Sequence, residues 1–256
     1  MPPSIRRVIV LATLALLTSF GCMGSGRQLA ACGPLGSGCQ DVVYVADGAG
    51  DFRAASLSVD RVVHNEGLPL CVEPISWSHG YGRVFADQLD RQYARKQGRL
   101  LAQELCQRRQ AEPHCRIFLL AHSAGSLVVL SATEAMPTDA IERVVLLGPS
   151  IRSDYDLRPA LRATRRGIDV YYSPDRDYYV RGAAVLAALV HGELSRRAGQ
   201  VGFEPRIESE EDAQLYNKLR LIPWDPAFSK AGNRGGHYGG YQPEFLKEYV
   251  LPMMQK

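Results

Sequence analysis

The sequence predicts an α/β fold, a three-layer sandwich in which a mainly parallel sheet of about six strands carries helices on both faces. Three observations lead there. Short apolar, β-branched runs alternate with longer amphipathic stretches along most of the chain. One of those runs ends in a tight turn of small residues around Ser123 and re-enters as an apolar helix. Finally, 256 residues with 46% hydrophobic and 22% charged content suit one domain of this class.

The elements follow in order. Arg6 and Arg7 precede an apolar stretch, Val8 to Phe20, that is too short to cross a bilayer. Gly21-Cys22 ends that stretch, so residues 1–22 are expected to be a signal peptide whose Cys22 becomes lipidated. Ser19 and Phe20 depart from the usual residues before such a cysteine, and plain secretion or an uncleaved anchor is the alternative. Leu29-Ala30-Ala31-Cys32 matches the local pattern better but is separated from the apolar core by Arg27 and Gln28. Residues 23–40, rich in glycine, read as a flexible tether, and residues 41–256 as the folded domain.

Within the domain, Val42 to Ala46 is the first strand and runs into Asp47-Gly48-Ala49-Gly50. Leu70 to Ile75 is the second, followed by Ser76-Trp77-Ser78-His79-Gly80, and a long helix is expected from Phe85 to Gln107. The third strand precedes Ser123. The fourth covers Arg143 to Gly148, the fifth Ile168 to Tyr172 and the sixth Leu219 to Pro223. An apolar helix over Gly182 to Leu194 and a closing helix from Pro243 to about Leu251 complete the reading.

The chemistry centres on Ile117-Phe118-Leu119-Leu120-Ala121-His122-Ser123-Ala124-Gly125. A buried strand that turns sharply into a helix lifts the serine oxygen clear of the sheet edge. Residues two before and two after must be small, because strand and helix backbones nearly touch there. Ala121 and Gly125 meet that requirement, Ala121 at the cost of a methyl group's crowding. Ser123 is thus a candidate nucleophile needing a base to take its proton. The competing reading is a serine that only begins the helix as its N-cap.

With Ser123 after the third strand, acids after the fifth and His237 in a Gly-rich loop after the sixth, the chain resembles the α/β-hydrolase superfamily, in its serine esterase and lipase branch. Too few residues precede the first strand for the family's two leading antiparallel strands, so the resemblance implies a trimmed version of the fold. It also implies His237 as base and an acid among Asp175 and Asp177. Asp177 is preferred because Val180 supplies the apolar residue that often follows three later. The oxyanion hole is implied at the N–H groups of Ala124 and Ala49. Trp77, His79 and Tyr238, with Tyr81 nearby, would flank a substrate. His122 is read as pointing into the turn, His191 as packing, and His64 and His114 as surface residues.

The expected activity is hydrolysis of a carboxylic ester or related acyl bond through an acyl-enzyme. The substrate would be a small-molecule or lipid-like acyl compound, and the membrane a partner through the N-terminal lipid. No metal or organic cofactor is expected: none of the cysteines has C-x-x-C spacing. A net charge of +3 without a dense Lys/Arg cluster argues against nucleic acid. Two alternatives remain, an envelope lipoprotein using the fold as a non-catalytic binding module, and an acyltransferase. Export permits disulfides, with Cys32–Cys39 and Cys106–Cys115 as candidate local pairs and an odd cysteine left over.

Overall fold

The computed structural model describes residues 41–174, 177–179, 182, 184–185, 188 and 196–255. The expected signal peptide with Cys22, the expected tether, Cys32, Cys39, Asp175, Val180 and His191 lie outside them.

Six strands, β1 (Asp41–Ala46), β2 (Cys71–Pro74), β3 (Arg116–His122), β4 (Arg143–Leu147), β5 (Ile168–Tyr172) and β6 (Leu219–Pro223), form one sheet in the order β2-β1-β3-β4-β5-β6. Every pairing is parallel. The chain steps outward from β1 to β2, returns past β1 to β3 and then proceeds in the other direction. The loops after β1 and β3 therefore diverge and leave a crevice at the carboxyl ends of the strands, where such sheets bind ligands. Ala46 pairs with Ala121 and His122 with Leu147, so β1, β3 and β4 end side by side at this crevice.

Both faces of the sheet centre are covered, which explains why β1, β3 and β4 read as nearly continuous apolar runs, whereas the edge strands β2 and β6 are only partly buried. Along β3, Ile117, Leu119 and Ala121 face one core together with helices α3 (Arg91–Ala111), α4 (Gly125–Glu134) and α5 (Arg158–Ala163). Phe118 and Leu120 face the other, packed with α1 (Ala54–Asn65) and with Phe245, Leu246 and Val250 of the closing segment. That segment is a single turn of α-helix, Pro243–Phe245, continued by a π-helical stretch, Leu246–Val250, rather than one regular helix.

The helix expected over Phe85 to Gln107 is two. A short α2 (Val84–Leu89) stops at Asp90, whose carboxylate accepts from Tyr93 N–H at 2.9 Å and so caps α3 as a new start. Helix α1 has no counterpart in the sequence reading, although Ala55, Val59, Val62 and Val63 recur at helical spacing and are buried. Its first amides are capped from a distance: Asp47 accepts from Ala55 N–H at 2.7 Å and Ser56 N–H at 3.1 Å.

Cys106 and Cys115, expected as a local pair, are not joined. Both thiols are free, because Cys106 on α3 turns toward Met136 Sδ at 3.7 Å while buried Cys115 faces the Arg116 carbonyl. Cys71, at the start of β2, is disulfide-bonded.

Candidate active site

The turn after β3 is built around Ser123, whose φ of 52° is left-handed. That conformation costs a non-glycine residue on the order of 1–3 kcal/mol and persists only where surrounding bonds impose it. Here they do. Ser123 N–H donates to Leu147 O at 3.1 Å, and Ser123 O accepts from Ser150 N–H at 3.1 Å. A Cβ on Gly125 would lie 2.5 Å from Asp47 O and 2.8 Å from Ala46 O, so the helix start presses on the end of β1 and only glycine fits. The helix begins with Ala124 at the N-cap position and without a side-chain cap bond, which removes the N-cap explanation of Ser123.

Asp177 follows β5 and His237 follows β6. His237 Nδ1 donates to Asp177 Oδ2 at 2.8 Å, both side chains being buried. With its Nδ1 so engaged, the ring offers Nε2 to a reacting group. Gly148, directly after β4, ties this pair to the serine: a Cβ there would lie 3.3 Å from Asp177 Oδ2 and 3.6 Å from His237 Nδ1. The preceding residue, Leu147, accepts from Ser123 N–H. Among the described residues the Ser123 hydroxyl has no hydrogen-bond partner. Nucleophile–base bonds are often longer in unliganded sites than in complexes.

His122 supplies a second tie. Its Nε2 lies 3.0 Å from His237 O, and because a carbonyl only accepts, this nitrogen carries the proton. Its ring centroid is 4.5 Å from that of His237. Full burial, and then the neighbouring His237, push the His122 pKa well below the ordinary imidazole value, so it is a neutral donor.

The turn after β1 lies against the serine, since a Cβ on Gly48 would be 3.4 Å from Ser123 Cβ. Among the described residues neither Ala49 N–H nor Ala124 N–H has an acceptor.

The three residues expected to flank a substrate separate. Tyr238 stays at the site, with its ring centroid 5.3 Å from His237 and its side chain partly exposed. Trp77 does not face it: the indole is in the core and donates from Nε1 to Asp47 O at 2.9 Å, bracing the β1 turn from behind. His79 is likewise engaged elsewhere, bonded to Asp87 at 2.9 Å and stacked on Tyr93. Tyr81 is exposed and packs edge-on against Phe52, beside the β1 turn. Tyr179, which the sequence reading passed over, stacks on His237 at 5.6 Å and meets Tyr238 at 5.1 Å. Asp87 was missed as well, having no local signal beyond being an acid on a helix. Among the described residues no cluster of three or more His, Cys, Asp or Glu could hold a metal ion, and no helix is long and apolar enough to cross a membrane.

Solved structures of similar shape include a lipase-esterase related protein from Clostridium acetobutylicum, with TM-score 0.49 and 11% identity over 85% of this chain and 95% of that one. An esterase from Pyrococcus furiosus gives 0.45 and 13% over 83% and 84%. A cutinase-like protein from Cryptococcus sp. gives 0.44 and 11% over 86% and 96%. No curated protein sequence matches the chain. A family model spanning β1 to α6 (Glu210–Tyr216), residues 41–213, does match, and it includes Ser123 and Asp177. The chain therefore belongs to the family described as "Alpha/beta hydrolase of unknown function (DUF900)", and its six parallel strands are a trimmed α/β-hydrolase fold.

Proposed function

We propose that the protein is an exported serine hydrolase that cleaves a carboxylic ester or related acyl bond. The observation that carries this reading is the left-handed Ser123 at the carboxyl end of β3, gathered at one sheet edge with the bonded pair His237–Asp177. In the proposed reaction His237 Nε2 takes the Ser123 proton as Oγ attacks the acyl carbon. Asp177 holds the ring in the required tautomer and stabilises the imidazolium. The N–H groups of Ala124 and Ala49 receive the oxyanion. Collapse of the tetrahedral intermediate expels the alcohol, which leaves with the proton from His237. Water, deprotonated by the same histidine, then releases the acid and restores Ser123. The disulfide at Cys71 favours an oxidising compartment and hence export. Membrane attachment through Cys22 remains part of the proposal, and Cys22→Ser should abolish lipid incorporation and release the protein from the membrane fraction.

Labelling with a fluorophosphonate, located by mass spectrometry, tests the reaction. Wild type should label stoichiometrically at Ser123 and hydrolyse p-nitrophenyl esters. Ser123→Ala should lose labelling, and Asp177→Asn should lower kcat by about 10³–10⁴-fold. A folded wild type that neither labels nor turns over would remove the hydrolase reading in favour of a binding module.

A further inference from the structure

We propose that Asp87 is the positioning residue of the oxyanion hole: its carboxylate fixes the Gly48–Gly50 turn so that the Ala49 N–H stands open toward Ser123. The inference rests on the acyl-transfer reading above.

The Asp87 side chain is fully buried, and burying a carboxylate is costly unless its oxygens are bonded. Each oxygen takes two donors. Oδ2 accepts from Gly50 N–H at 2.7 Å and from the Ser78 hydroxyl; Oδ1 accepts from His79 N–H at 2.8 Å and lies 2.9 Å from His79 Nδ1. One side chain on α2 thereby joins the turn after β1 to the loop after β2. Against the burial that would raise it, the hydrogen bonds from Ser78, His79 N–H, Gly50 and the His79 ring hold the carboxyl below its ordinary pKa, so it acts as a fixed acceptor.

The direction of these bonds is what makes the role functional. Gly50 N–H is the amide directly after Ala49, and Gly50 has φ of 95°, open to glycine without strain. Gly50 O accepts from Gly82 N–H at 2.9 Å, Asp47 O is held by Trp77, and the Asp47 carboxylate is held by the first amides of α1. The turn is clamped on both sides of Ala49, whose own N–H has no acceptor among the described residues. An oxyanion donor works only if its direction is set before the reaction. The next residue on α2, Gln88, also reaches the site: its amide donates to the Ser150 hydroxyl, and Ser150 N–H donates to Ser123 O.

Asp87→Asn tests the assignment with little change of shape. The new NH2 group must oppose either the Gly50 and Ser78 donors or the two His79 donors. We expect kcat for p-nitrophenyl butyrate to fall about 10²-fold while KM stays within about threefold, the loss typical of a missing oxyanion donor. Affinity for an aliphatic trifluoromethyl ketone, which mimics the tetrahedral intermediate, should fall by a similar factor. A lower melting temperature with unchanged kcat per titratable serine and unchanged ketone affinity would mean that Asp87 is only structural, and would overturn the proposal. Should Asp87→Asn not fold, Ser78→Ala removes one donor from the same oxygen as Gly50. It should lower kcat severalfold at constant KM, and an unaltered kcat would overturn the proposal. Ser123→Ala in parallel separates the two readings. If wild type turns over and Ser123→Ala does not, the hydrolase reading stands whatever Asp87 does; if wild type is inert, both readings fall.

Discussion

The elbow around Ser123 writes its steric requirements into adjacent residues. Strand, small residue, serine, small residue and helix follow one another within a few positions, because strand and helix backbones close on each other there. Gly125 carries most of it, since any side chain there meets the Asp47 and Ala46 carbonyls. Gly125→Ala should therefore destabilise the fold by about 1–3 kcal/mol, read as a lower urea midpoint at unchanged slope. A midpoint within error of wild type would show that helix and strand can separate at no cost. The residues not legible act over long sequence distances. Asp87 bonds an amide 37 positions away, and His122 meets a carbonyl 115 positions away. Nothing in the immediate neighbours of either residue announces such a partner. Trp77 and His79 were placed after the correct strand, but the loop engages them with the Asp47 carbonyl and the Asp87 carboxylate.

At the scale of elements, β1, β3 and β4 were legible because burial on both faces makes them largely apolar, and the bounds of all six strands differ from expectation by only a residue or so. Helices were less so. Helix α1 takes its cap from Asp47 rather than from a residue beside it, and Asp90 divides a pattern that hydrophobic spacing reads as one helix. The contact between β3 and the loop carrying His237 adds a pH dependence. His122 is neutral and its folded pKa lies well below the ordinary value of about 6.5. Below that pH the unfolded chain binds a proton that the folded chain refuses. The contribution of His122 to stability is thus complete above about pH 6.5 and shrinks as pH falls toward the folded value, by up to about 1.4 kcal/mol per pH unit. His122→Asn should flatten this part of the profile. Denaturant titrations at pH 7.5 and 5.5 measure it, and equal pH slopes in the two proteins would reject the assignment.

For the whole molecule, the parallel sheet divides labour between its two ends. The carboxyl ends of β1, β3 and β4 gather Ser123, the Gly48–Gly50 turn and Gly148, whereas the amino-terminal halves of β4, β5 and β6 carry a charged staple. Asp169, fully buried on β5, bonds Arg143 on β4 at 2.8 Å and pairs with Arg220 on β6 at 2.9 Å. Arg220 is also its direct register partner, so one carboxylate joins the last three strands across the sheet. Removing its charge leaves the buried Arg143 guanidinium without compensation, a loss on the order of 3 kcal/mol. Asp169→Asn should accordingly lower the urea midpoint markedly while kcat per fluorophosphonate-titratable serine stays at the wild-type value. Asp87→Asn is predicted to do the reverse, cutting kcat more than stability. Both are substitutions of a buried aspartate by its amide, so the pair isolates position in the sheet from chemistry of the change. If Asp169→Asn also lowers kcat per titrated site, the two ends are mechanically coupled and the separation argued from the topology fails.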